Sequence, residues 1–159
     1  NSTDTHLQEF LSVANQYKLN PLTKEIHATL AHNKIVPIVG IDGYLKMAHN
    51  TGEFRAIKTR HHHTDDGKLL SCTAEVFRKD EQIATEVTEY MPRNPPSRGP
   101  WAQYPERMLQ HKATAQALRY AFGFSGVYDE DEARRIAQES VEYRSGKDAL
   151  AGLKREVEA

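Results

Sequence analysis

Hydrophobic and polar positions change period several times along this chain, and each change marks an element. Residues 4–17 (DTHLQEFLSVANQY) place Leu7, Phe10, Leu11 and Val13 or Ala14 at helical spacing. That predicts a helix with Asp4 as its N-cap and Asn20-Pro21 beyond its end. Residues 25–31 and 34–39 read as two strands around the turn signal His32-Asn33. Gly40 to Gly43 predict a tight turn, and Asp42 a cap for a short helix, GYLKMAHN, stopped at Thr51-Gly52. Residues 54–63, 69–78 and 83–90, rich in Val, Ile, Thr, Phe and Tyr, read as a meander of three antiparallel strands. In the middle strand Leu70, Cys72, Ala74 and Val76 alternate with Ser71, Thr73, Glu75 and Phe77, which predicts a half-buried sheet with a polar second face.

Residues 92–100 (PRNPPSRGP) hold too much Pro and Gly for an element and read as a loop or flap. The strongest helix spans 105–122, with Pro105 in its first turn and Gly123 and Gly126 beyond it. Its expected core stripe is Tyr104, Met108, His111, Ala115, Leu118 and Phe122. A further helix starts near Asp129, its acids favourably placed at the positive end of the helix dipole. The segment 144–159 is charged, helical or disordered, without a strong apolar stripe. The expected class is therefore α+β: a small antiparallel sheet, hairpin plus three-stranded meander, packed against helices, one of them long and basic. Residues 1–143 are expected to form the core domain and 144–159 a tail.

Composition narrows the class. With 38% hydrophobic and 27% charged residues, the 159-residue chain reads as soluble and globular. No apolar run approaches the ~20 residues of a membrane span, so no membrane partner is expected. The single cysteine, Cys72, fits a reducing cytoplasm and resembles a small buried residue. The net charge of −1 hides a strong asymmetry. Between Arg93 and Arg119 five cations (Arg93, Arg98, Arg107, Lys112, Arg119) face one acid, Glu106; between Asp129 and Glu142 six acids face Arg134 and Arg135. Local basic surfaces, not totals, attract phosphates.

Lys112, Gln116 and Arg119 fall together on the flank of the long helix, at a spacing that can track a phosphate backbone. On periodicity alone the same row also fits a solvated helix face. Trp101 and Tyr104 precede this helix and follow the basic loop; aromatics beside cations can stack bases, and Trp101 can equally pack the loop onto the core.

Other constellations are weaker. His61-His62-His63 with Asp65 and Asp66 suggests a metal cluster, but consecutive strand residues face opposite sides, so His61 and His63 share a face that His62 does not. A polar strand end is the simpler reading, and no metal or other cofactor is expected. Glu75 and Glu86 are placed to face each other across a hairpin, as a magnesium-dependent nuclease would need, without any accompanying motif. His111, on the apolar stripe, reads as a core histidine. No phosphate-loop glycine pattern is present, which argues against ATP hydrolysis.

Four segments, taken in order, resemble one family: LSVANQYKLNPLTKEIHA, IVPIVGIDGYLKMAHN, SCTAEVFRKD and PERMLQHKATAQALRYAFGFSGVYDEDEARRI. They are similar to the RecT and Red-beta annealing proteins of phages, closest to the Red-beta branch, over most of residues 7–137. The resemblance implies a small sheet packed on helices and a protein that is not an enzyme. Such a protein coats single-stranded DNA and pairs it with its complement to an annealed duplex without ATP, as a ring or helical filament of identical subunits. It implies a 5′→3′ exonuclease and a single-strand-binding protein as partners, in a bacterial cytoplasm. Carried over by position, the DNA-contacting cations are Lys24, Arg107, Lys112 and Arg119. Two departures stand out. Glu106 occupies a position where the branch often has Lys, and the loop holding Arg93 and Arg98 is shorter. The family's C-terminal partner-binding module is expected to be absent from these residues. The alternatives from the residues themselves remain a metal-dependent nuclease and a purely structural oligomer.

Overall fold

Two consecutive residues with positive φ organise the first sheet. His32 and Asn33 have φ of 50° and 56°, as a two-residue type I′ hairpin turn requires. They join β1 (Ile26–Ala31) to β2 (Lys34–Val39) in register from Ile26 opposite Val39 to Ala31 opposite Lys34. In the computed structural model, which describes residues 2–157 and the side chains of 3–148 and 151, this hairpin is a sheet of its own. A second sheet is built from β3 (Phe54–His63), β4 (Leu69–Arg78) and β5 (Thr85–Tyr90), in that order and all antiparallel. Five α-helices complete the described residues: α1 (Ser2–Gln16), α2 (Ile41–Asn50), α3 (Pro100–Gln103), α4 (Pro105–Phe122) and α5 (Glu130–Val157). The class is α+β. The chain divides into two compact units, residues 1–39 with 126–159 and residues 40–125.

In the first unit α1 packs on β2, and α5 packs on both strands of the hairpin. The apolar centre is Ala31, Val36, Ile38 and Ala133, with Tyr128 and Ile136 against it. Pro37 cannot donate to a ladder, but its carbonyl accepts the Tyr128 N–H at 3.0 Å, and the Val39 N–H donates to the Tyr128 carbonyl at 2.9 Å. The His32 N–H donates to the buried Ser140 hydroxyl at 2.8 Å, tying the hairpin turn to α5. Helix α5 opens with a reciprocal cap. The Glu132 N–H donates to Asp129 Oδ1 at 2.8 Å, and the Asp129 N–H donates to a Glu132 carboxylate oxygen at 3.1 Å. Helix α1 departs from expectation: it starts at Ser2, so Asp4 lies in its first turn, and Leu7 and Leu11 are exposed while Ala14 is buried. The dipole favours an acid in that turn as well as at the cap.

In the second unit α4 lies over the meander, chiefly over β4 and β5, with α2 packed against it. Its limits match the sequence expectation; Pro105 needs no hydrogen bond at the first turn, and Gly123 closes the end at φ 67°. Its buried face matches only in part: Ala115 and Leu118 are buried as expected, and Met108, His111 and Phe122 are half-buried. The inward row is Leu109, Ala113, Ala117 and Ala121, joined by Thr114, Ala115 and Leu118, whereas Tyr104 is exposed. Alanines let the helix backbone approach the sheet closely, and a stripe chosen by bulk overlooks them. Strand β5 starts at Thr85, leaving Ile83 exposed in the preceding turn. On β4 both faces are shielded: Ser71 and Thr73 are buried along with Cys72, Ala74 and Val76, and Thr73 Oγ1 bonds Thr88 Oγ1 at 2.8 Å and His62 Nε2 at 3.1 Å. Leu70, expected on the apolar face, is exposed. Helix α2 begins after Gly40, with Asp42 inside its first turn instead of capping it.

Candidate nucleic-acid interface

The second unit carries most of the cations singled out by sequence. Arg93 and Arg98 lie in the exposed, irregular segment that ends at Gly99, whose φ of 78° turns the chain into α3. Trp101, in α3, is buried at 5% exposure, so its indole serves packing in this conformation. Tyr104 stands at the corner between α3 and α4 with 53% exposure. The exposed Arg107 lays its guanidinium over that ring, 4.9 Å from the centroid, a favourable cation–π distance.

Lys112, Gln116 and Arg119 do share a flank of α4, but all three are half-buried. Arg119 donates to the hydroxyl of Tyr44 at 2.9 Å, and Tyr44 is fully buried in α2. This guanidinium therefore ties α4 to α2. The other cation expected at the interface, Lys24, belongs to the first unit. It is exposed, with φ 60°, at the end of a single 3-10 turn, Pro21–Thr23, capped by Asn20 Oδ1 accepting from the Leu22 N–H at 2.9 Å.

Sequence reasoning missed a polar cluster at the start of α4. His61 Nε2 lies 2.8 Å from the Glu106 carbonyl oxygen and His63 Nε2 lies 3.0 Å from Glu106 Oε1. His62 points the other way, to Thr73. The alternation of the three histidines follows the strand period as expected, but their partner, some 43 residues away, has no signal in local pattern. The side chains of His63, Leu69, Tyr104, Pro105, Glu106 and Arg107 line an open groove of about 490 Å³. Arg78 was also missed. It forks onto Asp80 with bonds of 2.8 and 2.5 Å, donates to the Ala121 carbonyl at 2.6 Å, and lies 5.0 Å from the centroid of Phe122. Hydrogen bonding to Arg78 holds the Asp80 carboxyl below its usual range, and Asp80 raises the guanidinium in turn.

Glu75 and Glu86 are cross-strand partners, with Lys58 opposite Glu75 on the other side. Cys72 is fully buried, and desolvation pushes its thiol up. Burial likewise pulls His111 down, helped by Arg107 and opposed by Asp42.

This arrangement of exposed cations and an exposed ring beside a long helix sits on a chain whose family is now identifiable. The model of the RecT family matches residues 1–144, and the chain belongs to that family. It is similar to the Recombination protein bet of Escherichia phage lambda, with 40% identity over 151 residues, 88% of this chain. Those residues make up 56% of the lambda protein, so the chain spans a little over half of that relative's length.

Proposed function

We propose that this chain binds single-stranded DNA and anneals it to a complementary strand, without nucleotide hydrolysis, while assembled as a ring or helical filament of identical subunits. The observation that carries the proposal is the RecT family match over residues 1–144. Annealing makes and breaks no covalent bond. It requires that two repelling phosphate backbones be neutralised while the bases stay free to pair. Exposed Arg107, Arg93, Arg98 and Lys24 supply cations for the first task, releasing condensed counterions. Lys112, Gln116 and Arg119 form a firmer row along α4, its geometry held in part by the bond from Arg119 to Tyr44. Trp101 contributes by packing the corner before α4. Pairing supplies the sequence information, and the protein reads only backbone. The partners proposed are a 5′→3′ exonuclease that exposes the strand and a single-strand-binding protein that covers it, in the cytoplasm of a bacterial host.

The test follows energy transfer between two complementary labelled oligonucleotides in EDTA without ATP. The expected result is faster pairing with the protein than without it. Replacing Arg107 by Ala should weaken strand binding and lower the salt slope by about 0.7, the value for one phosphate contact on a single strand. No acceleration at any salt overturns the proposal and leaves a structural oligomer. Magnesium-dependent loss of labelled strand would point instead to a nuclease.

A further inference from the structure

We infer that Tyr104, and not Trp101, is the base-stacking residue of this chain, and that the groove beside it seats one unstacked nucleobase of a bound strand. The inference rests on the single-strand reading above and adds a site to it. Two aromatics precede α4, and sequence does not choose between them. Burial does: Trp101 is 5% exposed and Tyr104 is 53% exposed. A buried indole offers no face to a ligand, whereas the Tyr104 ring, even with Arg107 over it, keeps apolar surface in water.

The ring is also held ready. The Tyr104 N–H donates to the Pro100 carbonyl at 2.7 Å, and its own carbonyl accepts from the Met108 N–H at 3.0 Å. The corner thus fixes the backbone on both sides, and the Arg107 guanidinium at 4.9 Å steadies the ring. A preorganised aromatic with few rotatable bonds loses little entropy on contact.

Charge decides what enters the groove. Glu106 lines it, with one carboxylate oxygen held by His63 at 3.0 Å. Arg107 lines the groove as well, so a phosphate is drawn to the Arg107 side and repelled from the Glu106 side, while a neutral base is repelled by neither. Leu69 and Pro105 add apolar surface for the edge of a flat ring. Arg107 stands next to the tyrosine to meet the phosphate of the same nucleotide. Cation and ring therefore divide one nucleotide between them, the backbone to Arg107 and the base to Tyr104. Stacking of this kind tolerates any sequence, because every base has a π face. It suits a protein that does not read sequence itself.

The experiment measures the affinity of the full chain for a short oligothymidylate and for a strand of equal length whose sugars carry no bases, over a range of salt. Tyr104→Ala should weaken binding to the oligothymidylate roughly tenfold, leave its salt slope unchanged, and leave binding to the base-free strand unchanged. Tyr104→Phe should behave as the parent. Tyr104→Leu, which keeps apolar bulk without a π face, should fall with Tyr104→Ala and guards against a simple packing defect. Equal losses on both strands, or no loss on either, overturn the inference while the single-strand reading stands. If the parent chain binds neither strand, the single-strand reading itself fails and takes this site with it.

Discussion

The two units solve the same problem with sheets of different width, and their surfaces differ accordingly. The second unit places an 18-residue helix on a three-stranded meander and buries Cys72, Ala74, Val76, Leu109, Ala113, Ala117 and Leu118 completely or nearly so. The first has only a hairpin for α1 and α5, and leaves four leucines exposed, Leu7, Leu11, Leu22 and Leu30, with Val141 and Tyr143; the second exposes one leucine, Leu70, with Ile83, Tyr90, Tyr104 and Tyr120. A lone hairpin is marginal by itself and takes its stability from what packs on it. Charge separates the units too. Residues 40–125 carry 12 Lys and Arg against 10 Asp and Glu, while residues 1–39 with 126–159 carry 9 against 12. The near-zero total is therefore the cancellation of a slightly basic unit by an acidic one. A net charge taken over the whole chain conceals this difference between the units.

The contrast in burial is broken most directly at two leucines. Leu109→Ala, at a fully buried site on α4, should cost about 3 kcal/mol in urea unfolding. Leu11→Ala, on the 44%-exposed side of α1, should cost within about 0.5 kcal/mol. A loss at Leu11 as large as that at Leu109 would mean that the leucines of α1 are covered in the working assembly, and the contrast would belong to the isolated chain alone. Next in size is Arg78→Ala. It removes the fork on Asp80, the bond to the last turn of α4 and the contact with Phe122, and should lower the melting temperature by about 4 °C. Arg78→Lys should recover only part of this, because one ammonium cannot span the carboxylate and the carbonyl together. Complete recovery would reduce the site to its charge.

These sites also mark where sequence is and is not legible. Period and punctuation located the hairpin at His32-Asn33, the limits of β3 and β4, and α4 from Pro105 to Phe122, because each depends on neighbours within a few residues. The cross-strand pairing of Glu75 with Glu86 was readable for the same reason. What depends on partners far along the chain was not. The separation of the hairpin from the meander, the rotation of the buried face of α4 towards its alanines, and the meeting of His63 with Glu106 all fall in this group. The candidate site shows both cases. The cations were named from sequence, but which are exposed, and which aromatic is open, followed only from packing. The cap of α5 was within reach, since Asp129 and Glu132 have the spacing of a capping box.

That cap sharpens the comparison on the acidic side. Asp129→Ala should destabilise the first unit by about 1 kcal/mol, read as faster amide exchange in the first turns of α5. Asp129→Ser should retain most of the stability, since a serine hydroxyl can accept the same N–H. Exchange that speeds up equally in α4 would show that the two units do not open independently.

The smallest effect expected is a pH dependence confined to the second unit. His111 has a folded-state pKa below its ordinary 6.5, through burial first and the neighbouring Arg107 second, with Asp42 acting in the opposite direction. In the window just below 6.5 the unfolded chain takes up a proton that the folded chain refuses. Stability from this group is therefore complete above the ordinary value and declines as pH falls through it towards the folded value. Asp66 and Asp80, both lowered from 3.8, act only in a more acidic window and do not interfere. The measurement is the urea midpoint at pH 7.5 and 5.5, followed by a probe in α4. The parent should lose stability on acidification, His111→Gln should lose less, and Arg107→Gln should fall between them, because it removes the second cause and leaves the first. If Arg107→Gln matched His111→Gln, charge and not burial would govern the histidine. The cation that covers Tyr104 would then also set the acid sensitivity of the helix beneath it.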